Sequence, residues 1–154
     1  MAALTGPRPH TTRLGDDAVV PFWKIPVAAG VKIYAGALVV IRAGYARPGA
    51  TATGDLAAGV AQETVDNSSG SAGDKVIAVR RGPHKFANSA SGDLIAQADV
   101  GKFCYVVDDQ TVAKTDGTGT RSPAGLIYQV ETDGVFVELG VTPQIAALIL
   151  DTTA

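Results

Sequence analysis

The groups in this sequence able to do chemistry are few, and their spacing decides what chemistry is open to them. His10 and His84 are the two histidines. Neither belongs to an HExxH pattern or stands at a spacing typical of metal ligands, so both read as surface residues. Cys104 is the sole cysteine, which excludes an intrachain disulfide and a multi-cysteine zinc site. Its place within the apolar run KFCYVVD makes it a buried small hydrophobe rather than a reactive thiol. Asp16-Asp17 and Asp108-Asp109 are paired carboxylates, but calcium takes six or more oxygens and no EF-hand loop is present, so they read as turn carboxylates in solvent. Ser71 in SGSAGD resembles a nucleophile elbow only superficially, because Ser69 stands where GxSxG needs its first glycine. Gly117-Thr118-Gly119 lacks the third glycine of a dinucleotide fingerprint, and no phosphate loop occurs. Asn67-Ser68-Ser69 matches a glycosylation sequon but reads as a polar loop. The sequence thus assigns no catalytic, cofactor-binding or metal-binding residue, and the expectation is a protein that is not an enzyme and needs no cofactor.

Two other groupings suit contact rather than catalysis. Arg80, Arg81, His84 and Lys85 form a basic cluster beside Phe86. They fit either contact with an acidic protein surface or nucleic acid, or simply a charged strand end. Phe22 and Trp23 are the largest adjacent apolar pair and fit either the core or an interface anchor. Phe22, Trp23, Arg80 and Arg81 are therefore the interface candidates of the body.

The elements that must position these residues are strands. Segments PFWKIPV, ALVVI, AGVAQETV, KVIAVRR, KFCYVVD, AGLIYQVE and VFVELG are short, rich in β-branched residues and bounded by Gly, Asp, Ser or Asn. Of the 15 acidic residues 12 are Asp, the type that serves turns rather than helical surfaces. Asp133-Gly134 is the strongest hairpin signal, and Asp116-Gly117-Thr118-Gly119 a looser loop of the same chemistry. One helix is expected, over 143–150, with Thr142 as cap and Pro143 in the first turn. Residues 1–21, with Pro7, Pro9 and Pro21, lack alternation and read as an extended N-terminal arm before a body of residues 22–154.

The 154 residues suit a single domain, and 46% apolar against 18% charged residues supplies a core. A net charge of -2 gives no general attraction to nucleic acid or anionic membrane. The longest apolar runs, Tyr34 to Ile41 and Pro143 to Leu150, are well short of the roughly 20 residues of a membrane span. The start lacks the basic and apolar regions of a signal peptide, so synthesis in the cytoplasm is expected.

The chain also repeats a pattern. Gly36-Ala37-Leu38-Val39-Val40 aligns with the run from Gly101 to Val107, and Ala58-Gly59-Val60 with Ala124-Gly125-Leu126, at offsets of 65 and 66 residues. Each copy continues into a strand that ends in glycine, KVIAVRRG or GVFVELG. The fold expected is all-β: a small β-barrel or β-tulip-like body built from two similar antiparallel units that bury their apolar faces together.

The order of VAAGVKIYAGALVV, AGVAQETVDN, GDKVIAVRRG, GKFCYVVDD and SPAGLIYQVETDGVFVEL, behind a proline-bearing start, resembles the small capsid decoration (cement) proteins of tailed bacteriophages over residues 20 to 140. The resemblance implies a homotrimer on the outer surface of the virion head. It would bind the major capsid protein and stabilise contacts between capsid subunits, with neither nucleic acid nor membrane as a direct partner. It also implies an arm that pairs with a capsid strand. Because Pro7 and Pro9 remove backbone donors, the pairing falls to Thr11 to Val20, with Thr11, Thr12, Arg13 and Leu14 as the arm's capsid-binding candidates. The alternatives are another phage structural component, of neck or tail, and a virion-displayed module that binds glycans through Trp23 or Tyr45.

Overall fold

A computed structural model describes residues 22–139, with Phe22 described by its backbone alone. The arm expected over residues 1–21, with Thr11, Thr12, Arg13 and Leu14, and the helix expected over 143–150 lie outside the described residues. What is described is all-β. In chain order the strands are β1 (Phe22–Pro26), β2 (Val31–Ile33), β3 (Leu38–Arg42), β4 (Tyr45–Pro48), β5 (Leu56–Ala61), β6 (Val65–Asn67), β7 (Val76–Arg80), β8 (Gly82–Asn88), β9 (Phe103–Val106), β10 (Thr111–Ala113), β11 (Pro123–Glu131) and β12 (Gly134–Leu139). Two short 3-10 turns, Ser91–Asp93 and Gln97–Asp99, separate β8 from β9.

The strands form a five-stranded sheet of order β1-β7-β5-β3-β4, a closed five-stranded barrel of order β10-β8-β12-β11-β9, and a small β2-β6 ribbon. Neighbours are antiparallel except where β10 closes the barrel against β8, with Thr111 opposite Ala87 and Val112 opposite Asn88. In the open sheet a single parallel bridge, Val27 to Ala46, joins the two ends.

Turn chemistry sets two hairpins. Between β3 and β4 the turn residues Ala43 and Gly44 have φ of 52° and 87°, the pair of positive values that matches the twist of a two-residue hairpin. Between β11 and β12 the pairing of Glu131 with Gly134 makes Thr132 and Asp133 the turn, so the hairpin expected at Asp133-Gly134 is shifted by one residue. Gly134 serves a different purpose: a Cβ there would stand 2.7 Å from the Phe86 carbonyl oxygen, so glycine lets β8 approach.

Two apolar clusters result. One holds Ile25, Val27, Ile33, Ala37, Val39, Ala46, Ala58, Ala61, Ile77 and Val79 against the inner face of the open sheet. The other joins barrel residues such as Phe86, Cys104, Val106, Ile127 and Val137 to Leu38, Val40, Ala57 and Val60 from the sheet's other face. Strand β3 is thus buried on both sides, which explains why LVV runs apolar without alternation. In β5 the face changes at an extra residue. Val39 pairs with Gly59 and Val40 with Ala57, leaving Ala58 as a bulge, so Ala57 and Val60 share a cluster despite a three-residue spacing. The barrel does the same at Ala124, between the pairings of Pro123 with Tyr105 and Gly125 with Cys104.

Polar links tie sheet to barrel at the same seam. The Asp55 carboxylate, 1% exposed at its side chain, accepts from Arg42 Nε at 2.6 Å and Nη2 at 2.9 Å. The Asp55 backbone N–H donates to Ser122 Oγ at 3.0 Å, and Ser122 in turn donates to the Ala52 carbonyl at 2.7 Å. Because Ser122 directly precedes β11, these bonds fix the loop before β5 onto the barrel.

Candidate interface where β1, β7 and β8 meet

Antiparallel pairing of β1 with β7 sets Phe22 opposite Arg80 and Trp23 opposite Val79. Two interface candidates named from separate stretches of sequence therefore meet at one corner, at the start of the described residues. Among the described residues β1 is the end strand of its sheet, with β7 its one strand neighbour. Hydrogen bonds from Gln62 N–H to the Ala78 carbonyl and from Val27 N–H to the Lys75 carbonyl fix which residues of β1 face β7. Trp23 and Ile25 turn their backbone groups toward β7, and Phe22 and Lys24 turn theirs to the outer edge. Pro26, which has no N–H, interrupts that edge.

The pairing sets Trp23 and Arg80 on different faces. Trp23 is partly buried and packs against the sheet's own cluster, and the Arg81 guanidinium lies 6.0 Å from its ring centroid. Arg80 is cross-strand from Val60, so it shares the face turned to the barrel. On that face it meets His84, which follows the tight corner at Gly82, where φ is 109°.

Along β8, residues Gly82, His84, Phe86 and Asn88 turn inward and Pro83, Lys85 and Ala87 outward. This alternation splits the basic cluster. Lys85 forms ion pairs with Glu131, at 3.0 Å, and Asp133, and these carboxylates raise its pKa above the ordinary lysine range. His84 stands opposite Val137 and its pKa is lowered, first by burial and further by the Arg80 charge, with the Arg80 main chain acting in the other direction. Nitrogens Trp23 Nε1, Arg80 Nε and His84 Nε2 are each buried without a hydrogen-bond partner. Parity along PHKF was the sequence signal that could have separated His84 from Lys85; it was hidden because Pro83 and the charges argued against a strand.

Compared with protein-family models, curated proteins and solved structures, the chain matches none. The reading of this corner therefore rests on its own chemistry.

Several of the remaining chemical candidates are absorbed by structure, while His10, Asp16 and Asp17 lie outside the described residues. Cys104 is fully buried, its thiol donates toward the Gly125 carbonyl at 3.6 Å, and burial pushes its pKa up to about 12. Asn67 is buried, and its amide donates to the carbonyls of Ala28 and Ser71, which suits a loop organiser and not a glycan acceptor. Asp108 accepts from the Gln110 N–H and Asp74 from the Ser71 N–H, both as turn carboxylates. Among the described residues no group of three or more His, Cys, Asp or Glu stands where it could hold a metal ion, and no helix is long and apolar enough to cross a membrane.

Proposed function

We propose that this protein is a structural capsid decoration protein: it binds the outer surface of a phage head and strengthens contacts between major capsid protein subunits. The observation that carries the reading is the placement of Phe22, Trp23, Arg80 and Arg81 together beside an end strand, directly after the segment with the sequence character of a binding arm. Its action is mechanical. Each added backbone hydrogen bond contributes a net ~0.5 to 1.5 kcal/mol, and apolar contact across a seam between capsomers adds to this. In a homotrimer each arm binds at the effective concentration set by its neighbours, so weak contacts sum to a clamp against internal pressure.

The body in this reading is two copies of one antiparallel unit. Supporting it, the order β1-β7-β5-β3-β4 matches β8-β12-β11-β9-β10 strand for strand. The segments that align at offsets of 65 and 66 residues fall in β3 and β9 and in β5 and β11. Each unit also carries one bulged alanine followed by glycine, Ala58-Gly59 and Ala124-Gly125.

The test is co-sedimentation of the full-length protein with expanded, undecorated heads of its own virus, followed by reconstruction of the particle. Saturable binding at the outer surface, lost when residues 1–20 are deleted, is expected. Absence from heads, or density confined to portal or tail, overturns the proposal in favour of a neck or tail component. Undiminished binding after the deletion removes the arm from the mechanism.

A further inference from the structure

The cations of this protein differ in how they are balanced. Arg42 is held by Asp55, Lys85 by Glu131 and Asp133, Lys102 by Asp99, and Arg121 by Asp93. Arg80 forms no ion pair among the described residues, yet its Nε is buried and lacks a partner. The neighbour it does have carries the wrong sign, since His84 is a base whose free ring nitrogen is also buried and unpartnered. A guanidinium N–H is donor only, and an imidazole nitrogen becomes a donor once protonated. Two such groups on the barrel-facing side of one corner leave a gap of acceptor and of negative charge, which a single carboxylate fills on both counts.

We propose that the corner formed by Arg80 at the end of β7 and His84 in β8 is a recognition site for a carboxylate, presented by an aspartate- or glutamate-bearing segment of the protein surface on which this chain docks. The identification of that surface as the capsid rests on the function proposed above; the carboxylate chemistry does not. A protein segment is favoured over nucleic acid because the basic cluster that looked like a phosphate patch is dismantled by the fold. Lys85 faces outward and is neutralised by two carboxylates, and exposed Glu131, Asp133 and Glu138 lie on the neighbouring β11–β12 hairpin, a surface that repels a polyanion. One carboxylate reaching a partly buried pair avoids that repulsion, whereas a phosphate backbone laid across the surface does not.

The composition supplies two clean reporters: Trp23 is the only tryptophan and His84 one of two histidines, with His10 in the arm as internal reference. The experiment titrates the full-length protein at constant ionic strength with a capped hexapeptide holding a single Asp among Thr residues, following the His84 ring and Trp23 indole resonances. The same peptide with Asn for Asp and a six-residue oligothymidylate serve as competitors in chemistry. Saturable shifts with the Asp peptide alone are expected, with affinity weakened about tenfold or more in Arg80→Gln, the loss of a charge-assisted bond, and also weakened in His84→Gln. No saturable shift, an equal response to the Asn peptide, or unchanged affinity in Arg80→Gln overturns the proposal. Tighter binding of the oligothymidylate overturns it in favour of phosphate. Should Arg80→Gln fail to fold, the wild-type comparison of the Asp and Asn peptides and the His84→Gln variant still decide. Head binding without peptide binding removes this site and leaves the capsid reading standing; peptide binding without head binding does the reverse.

Discussion

Gly59 in β5 and Gly125 in β11 stand in the same relation to their neighbouring strands. A Cβ at Gly59 would lie 2.3 Å from the Arg80 carbonyl oxygen, and one at Gly125 would lie 2.3 Å from that of Glu138. Each would also press on a valine Cγ1, of Val79 at 2.8 Å and of Val137 at 3.1 Å. Both glycines follow a bulged alanine, and both let the backbone of β7 or β12 close over the bulge.

Gly59→Ala and Gly125→Ala are accordingly expected to destabilise strongly. Backbone has to move in either case, and Gly59 adds a φ of 152° that side chains rarely adopt. Losses of roughly 2 to 4 kcal/mol are expected, the range of overpacking combined with backbone strain. Gly92→Ala, with open space around it, should stay within about 0.5 kcal/mol. Chemical denaturation of the three variants checks this; a mild Gly125→Ala would mean that β11 and β12 separate more easily than their register implies.

Unequal burial predicts an asymmetry at the Arg42–Asp55 pair. Arg42 keeps 43% of its side chain exposed and Asp55 only 1%, so removing the arginine strands a carboxylate away from water while removing the carboxylate leaves a hydrated guanidinium. Arg42→Met should therefore cost more stability than Asp55→Asn. Ser122→Ala, which deprives the Asp55 N–H of its acceptor, should cost about 1 to 3 kcal/mol. Equal losses for Arg42→Met and Asp55→Asn in urea melts would contradict the burial argument.

Cys104 should be silent toward a thiol reagent in the folded protein. Its thiol is fully enclosed and its pKa is pushed up to about 12, so both access and thiolate are lacking. Reaction with an aromatic disulfide should appear only in step with global unfolding in denaturant. Rapid labelling under native conditions would reopen the question of a reactive thiol.

Stability should fall as pH drops below 6.5, through His84. Its folded pKa lies below the ordinary 6.5, so the unfolded chain binds the proton first and the folded state loses ground as pH falls through that window. The groups around it do not cancel this. Arg80 on β7 opposes the added charge, Lys85 on β8 faces outward, and on β12 the residue opposite is Val137, with Glu138 paired to Pro83. Depressed carboxylates behave differently: Asp66, Asp93, Asp99 and Asp133 are lowered by hydrogen bonds from Ser68, Thr115, the Ala96 N–H and Lys85. Their contribution persists until pH falls below the ordinary 3.8. Thermal melts between pH 5 and 7.5 should show a slope that His84→Gln removes; a slope unchanged in that variant would assign it elsewhere.

Strands were readable wherever apolar and β-branched residues run together between turn residues, as in LVVIR of β3 and VFVEL of β12. Strand β8 escaped because GPHKFAN begins with two breakers and carries two charged or titratable groups, although its residues alternate inward and outward. Strands β4 and β10 escaped because four and three residues give too little pattern to see. The candidate corner was legible as two unrelated pairs, Phe22-Trp23 and Arg80-Arg81, but nothing local says that Phe22 faces Arg80.

What the amino-acid sequence alone determined was the class of structure: turn-forming Asp and Gly, short β-branched runs, and a cysteine placed among apolar neighbours. These are local properties, carried by a residue and those within a few positions of it. Only the tertiary structure decided which charges meet, burying Asp55 against Arg42, neutralising Lys85 with Asp133 and leaving Arg80 beside His84. Each of those encounters depends on register between strands far apart in the chain, and a single bulged residue such as Ala58 is enough to turn every later side chain to the opposite face.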